Sequence, residues 1–178
     1  MPGKTKKICL MAVGIALFVV LSLCLQGPVF ENYYLCLGYV VMAVYCYSFG
    51  TLSGTIVGFF GVVLYCLVIS GMRGMPGWAL GNIVIGTTLG QMFKRTRDME
   101  PSVLRLLIES AVIVFATALG ILVVKSETER LLYSQPFLVR TAKNTSAFIA
   151  DCMMVVISLP ICRIVDPYAK RVMPELHV

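Results

Sequence analysis

Arg140, Lys143, Asn144, Ala147 and Asp151 recur at three- and four-residue spacing near the end of the chain. That spacing puts them on one face of a helix. The residues around them are largely apolar, so the face carries two cations, an amide and an acid through greasy surroundings. An ionisable group inside a membrane span is costly unless it is paired or faces a polar cavity. Two roles suit such a stripe. It lines a pocket in which Arg140, Lys143 and Asn144 hold an anionic or carbonyl-bearing solute, or it is an internal network that holds helices together. Asp151, about two turns below Lys143, is open to both.

A second constellation lies in the stretch R-G-M-P-G-W-A-L-G-N, residues 73–82. It contains the sole tryptophan, Trp78, and Arg73, the one charged residue between Glu31 and Lys94. Gly71, Gly74, Pro76 and Gly77 predict a loop, because glycine tolerates positive φ and proline cannot continue a helix. Asn82 follows Trp78 by one turn, on the same face. The segment 26–34 adds Gln26, Glu31, Asn32, Tyr33 and Tyr34, and Tyr133 and Gln135 stand just ahead of the striped helix. Aromatic residues also anchor membrane interfaces without binding anything. Gathered with amides in one layer, they suggest a site for a small ring-bearing solute.

Other chemistry has no support in the sequence. There is no Gly-rich phosphate loop, no H-E-x-x-H, no G-x-S-x-G and no pair of carboxylates on one intramembrane face. No catalytic residue is assigned, and Asp151 lacks the partners of a membrane-embedded enzyme. The sole histidine, His177, is in the tail, and the seven cysteines form no C-x-x-C. Neither a metal nor a cofactor is expected.

The elements that position these residues must be membrane helices. The chain is 58% hydrophobic and 13% charged, against roughly 45–50% and about 25% in soluble domains. Its 178 residues accommodate about six spans of roughly 20 residues. The expected architecture is all-α and integral to the membrane, with one six-helix domain over 1–178. Its spans lie near 8–25, 34–48, 51–70, 78–93, 103–124 and 140–164. The first run follows Lys4, Lys6 and Lys7 but exceeds a signal peptide's apolar core and lacks a cleavage site, so it reads as a retained helix. Gly50, Gly54 and Gly58 form a ridge on the third span, with Gly61 nearby. Gly77, Gly81, Gly86 and Gly90 make the fourth slim, and both patterns favour close helix contact. Charged connectors are expected at 94–102 and 125–136, and the last helix over about 137–165.

The 15 cations of the chain sit between spans, not in the stripe that nucleic acid would require. With the N-terminus inside, ten fall on the cytoplasmic side. Five fall outside: Arg73, Lys125, Arg130, Arg140 and Lys143. The bias predicts N-in and C-in. It also brings 26–34, 73–78 and 125–136 to one outer face. On the first helix Ala12 and Ala16 make an A-x-x-x-A strip onto which another helix can dock, or which packs within the bundle.

Taken together, the chain resembles the substrate-binding S component of energy-coupling factor (ECF) transporters. The resemblance rests on the six-span plan, the Ala12/Ala16 strip, and three segments: F-E-N-Y-Y-L-C-L-G-Y, F-G-T-L-S-G-T-I-V-G-F-F-G and P-G-W-A-L-G-N-I-V-I-G. They look like the riboflavin-type branch of the superfamily. The resemblance implies a prokaryotic multi-pass membrane protein that captures a vitamin outside. It implies docking, through Ala12 and Ala16, on a transmembrane coupling subunit driven by two ATP-binding-cassette ATPases. The ligand would be held by the outer loops and helix ends, here 26–34, 73–82 and 133–144. Met1 is followed by Pro2, not by the His of metal-importing members, which disfavours a metal solute. Riboflavin-, pantothenate- and pyridoxine-like solutes all fit the outer cations. The competing reading is a small membrane structural or assembly protein with no ligand.

Overall fold

The computed structural model describes residues 2–24, 28–30, 33–70 and 75–174. Gln26, Glu31, Asn32 and Arg73 therefore lie outside the described residues. Helix α1 (Pro2–Cys24) is followed by a short antiparallel ribbon of β1 (Pro28–Phe30) and β2 (Tyr33–Tyr34). Helix α2 (Gly38–Phe49) turns at Gly50 into α3 (Thr51–Tyr65). Gly50 has φ 86°, a conformation that glycine adopts without strain, so a single residue reverses the chain. A π-helical stretch, Cys66–Ser70, extends α3. Then come α4 (Met75–Thr96), α5 (Val103–Thr117), a second π-helical stretch (Ala118–Lys125), α6 (Ser126–Tyr133) and α7 (Phe137–Val172).

These elements make six rods, because α5, the second π stretch and α6 run on without a break. Among the described residues, four rods are long and apolar enough to cross a membrane: Thr5–Cys24, Thr51–Ile69, Val103–Tyr133 and Phe137–Val172. Helix α2 has 12 residues, a rise of about 18 Å against a hydrocarbon core of roughly 30 Å. It packs against α1, α3, α4 and α7, and most of it is buried. Its polar ends therefore meet protein and not lipid. Helix α4 is 22 residues long, but its glycines lower its hydropathy.

The rods turn apolar side chains outward. Leu104, Phe115 and Ile164 all stand exposed, as lipid solvation requires. Inside, small residues set the spacing. Gly54, Gly58 and Gly61 lie against Cys46, Met42 and Phe18. A Cβ at Gly81 would stand 2.6 Å from the Gly120 carbonyl oxygen, so α4 and the 118–125 stretch meet backbone to backbone.

Several boundaries differ from the sequence reading. The connector expected over 125–136 is helical up to Tyr133, ending where Ser134 takes φ 51°. Its charges belong to a helix that lies against α4 and α7, so they do not mark a solvated loop. Trp78 belongs to α4, which has already begun at Met75, with Pro76 in the first turn where a missing N–H costs nothing. The second helix starts at Gly38, not 34, and α7 continues through Pro160 and Pro167 to Val172.

Alternation of the rods defines two ends. One gathers the start of α1, the turn at Gly50, the end of α4, the start of α5 and the end of α7. An ionic knot closes it. Glu109, 1% exposed, accepts from Thr96 Oγ1 at 2.9 Å, Arg105 Nε at 2.9 Å and an Arg163 nitrogen at 2.8 Å. Arg105 also donates to the Met99 carbonyl at 2.9 Å. Beside them Asp166 pairs with Arg97 at 3.2 Å and Lys170 at 3.3 Å. Buried charges persist when paired and hydrogen-bonded in this way.

Candidate functional site

The opposite end carries the residues that the sequence singles out. Trp78 projects from the second turn of α4, half-buried, with its ring edge-on to Tyr65 at 5.8 Å between centroids. Its Nε1–H donates to the Tyr39 hydroxyl at 2.8 Å. That hydroxyl donates to Asn82 Oδ1 at 2.9 Å, and the Asn82 amide donates to the Gly58 carbonyl at 3.0 Å. Tyr39 and Asn82 are both fully buried. The chain of bonds joins α2, α3 and α4 and holds the indole in one orientation. It satisfies the amide, which would otherwise be expensive in an apolar interior.

Asp151 on α7 is 6% exposed. It belongs to the buried face of α7 together with Asn144, Ala147 and Met154. Asn144, two turns nearer the helix start, donates to Ser126 Oγ at 3.0 Å and Glu129 Oε2 at 3.1 Å. The polar stripe of α7 therefore meets the polar face of α6, which the sequence reading took for a loop.

Above Asn144 the network is incomplete. The Arg140 guanidinium lies over the Tyr133 ring at 4.8 Å and 3.7 Å from Glu129. Its Nε is buried with no hydrogen-bond acceptor among the described residues, and Gln135 Oε1 is buried with no donor among them. Lys143 stands on the exposed side of α7. Tyr33 and Tyr34 form the second strand of the ribbon. The result is graded. Deep in this end Asn82 and Asn144 are saturated. Nearer the mouth an aromatic face, an open donor and an open acceptor remain. Such a surface can take a flat solute with hydrogen-bonding edges.

Two participants have no strong local signal in the sequence. Tyr39 meets Trp78 and Asn82 from about 40 residues away. Glu129 reads as one charge among several in 125–136. For Glu129 a weaker signal exists, an amphipathic reading of 126–133 with Ser126 and Glu129 on one side.

A glycine-tightened membrane bundle, with an ionic network at one end and a polar-aromatic cluster at the other, is the architecture that these elements build. The family model described as "ECF-type riboflavin transporter, S component" matches residues 3–166, and the chain belongs to that family. It is accordingly a multi-pass membrane protein of the vitamin-uptake type. A search among curated proteins finds no match to the chain.

Proposed function

We propose that the protein is the high-affinity binding subunit of an ECF-type importer, capturing a ring-bearing vitamin at the Trp78–Arg140 end. The observation that carries this reading is two buried groups without a partner among the described residues, Gln135 Oε1 and Arg140 Nε, the Arg140 guanidinium lying over the Tyr133 ring. Buried polar atoms are normally satisfied, and a solute edge that accepts from one and donates to the other completes them. The family description makes riboflavin the first solute to test, with pantothenate- and pyridoxine-like compounds next. Trp78, Asn82, Tyr133, Gln135, Arg140, Lys143 and Asn144 form the site, with Gln26, Glu31, Asn32, Tyr33, Tyr34 and Arg73 contributed by the adjoining segments. Asp151 supports it from below.

The cation bias favours this end outside, with both termini in the cytoplasm of a prokaryotic cell. Ala12 and Ala16 lie exposed on α1, while Gly14 on the other side packs against Tyr45 and Val57. That leaves the small-residue strip free to meet the transmembrane coupling subunit, which two ATPases power. One experiment tests the proposal. Protein purified from cells supplied with the vitamins is denatured, and the released small molecules are identified by mass spectrometry. One vitamin per chain is the expected result; none under any supply rejects it.

A purely structural role is favoured by Asn82 and Asn144 alone, whose amides are spent inside the bundle. It gives no use for the open pair at Gln135 and Arg140.

A further inference from the structure

A second unfilled place lies at the other end, beside the ionic knot. A cavity of about 460 Å³ opens between the start of α1, the turn at Gly50 and the end of α4. Lys7, Lys94 and Arg97 line it, with Asp98 as the one acid. Its floor is apolar, built in part from Phe49 and Phe93, and Leu52 at its edge is 64% exposed.

The cations of this end fall into two groups. Arg105, Arg163 and Lys170 are spent on Glu109 and Asp166. Lys7 and Lys94 are exposed, and among the described residues neither has a carboxylate within ion-pair distance. Arg97 is held in place by Asp166 at 3.2 Å and lies over the Tyr47 ring at 5.8 Å. With Arg97 paired to Asp166, Lys7 and Lys94 against Asp98 leave a positive charge in excess around an apolar-floored hollow at a membrane end of the bundle. An anion with an attached hydrocarbon fits all of these features. A free phosphate would leave the floor and Leu52 without a partner, and a zwitterionic headgroup would bring its own cation to the lysines.

We propose that this cavity holds the headgroup of an anionic phospholipid. The phosphate sits between Lys7, Lys94 and Arg97, and an acyl chain leaves past Leu52. The assignment does not depend on which solute occupies the other end. Each basic residue near a charged headgroup contributes a gain that removal of two should make visible as roughly a tenfold or greater loss.

The test is native mass spectrometry of the full chain from equimolar phosphatidylglycerol and phosphatidylcholine. Retention of one phosphatidylglycerol per chain is expected. It should fall on the order of tenfold in the double variant K7Q/K94Q and partially in each single variant. The K170Q variant, whose lysine pairs with Asp166 outside the cavity, should retain it. Both cavity lysines are exposed, so the fold survives their loss, and a matching thermal midpoint verifies this. Equal retention of phosphatidylcholine overturns the proposal. So does unchanged retention in K7Q/K94Q, or glycerol phosphate alone binding as tightly as the lipid.

Discussion

The two ends of the bundle use the same residue types to opposite effect. At the N-terminal end Glu109 receives three hydrogen bonds and the arginines around it are spent. At the other end Arg140 and Gln135 keep buried atoms without a partner among the described residues. A saturated buried charge network fixes helices relative to one another, and removing one member leaves the rest uncompensated. An unsaturated one holds free energy available to a ligand, since leaving a buried polar atom unmade costs about 1–3 kcal/mol. Charge count alone does not separate the two ends. Pairing does.

Substitution at the saturated end should break the fold first. Glu109→Ala strands Arg105, whose side chain is only 7% exposed. A loss of about 3–5 kcal/mol is expected, read as a collapse in monodisperse yield and thermal midpoint. If Glu109→Ala were as stable as the parent, the knot would not be structural.

Next in size is an effect on uptake alone. Bulky residues at Ala12 and Ala16, which face away from the core, should abolish transport in cells and leave vitamin binding intact. Uptake that survives both changes would reassign the docking strip.

Arg140→Ala should do the reverse of Glu109→Ala. Solute affinity should fall on the order of tenfold or more, because the guanidinium's bond to a ligand is charge-assisted, and the thermal midpoint should fall less than in Glu109→Ala, because Glu129 keeps its bond from Asn144. Gln135→Leu should weaken binding by less. The sharpest form of the contrast is a cycle between the two, since coupling between them is expected only with solute present. The smallest effect belongs to Trp78→Phe. It keeps a flat ring but removes the donor to Tyr39 at 2.8 Å. About 1 kcal/mol is expected, a few-fold change in Kd by titration.

Much of this was legible in the sequence because it is periodic. Of the ridge read as Gly50, Gly54 and Gly58 with Gly61 nearby, the last three each meet another helix, while Gly50 makes the turn before α3. The spacing of Arg140, Lys143, Asn144, Ala147 and Asp151 announces one face; Asn144, Ala147 and Asp151 are buried together on α7, while Lys143 is exposed. What was not legible is pairing across the chain. Tyr39 looks like any aromatic in an apolar run until Trp78 and Asn82 are placed beside it. Glu109 and Arg163 are 54 residues apart, so the helix period of neither segment reveals their contact. The stretch 125–136 misled for a physical reason. Glu127, Glu129 and Arg130 resemble a solvated connector, yet Glu129 is buried against Asn144 and only the other two pair at the surface. A short helix with one polar face turned inward has the composition of a loop.

Trp78 is the sole tryptophan, so its emission reports from one end only. A riboflavin titration of the parent protein, repeated with the reporter moved to the other end in the double variant Trp78→Phe/Tyr47→Trp, compares the ends directly. The account expects saturable quenching at one vitamin per chain in the parent, much weaker quenching in the moved reporter, and loss of the parent signal on Arg140→Ala. Bound vitamin, verified by equilibrium dialysis, that quenches the Tyr47→Trp reporter more strongly than Trp78 would contradict it.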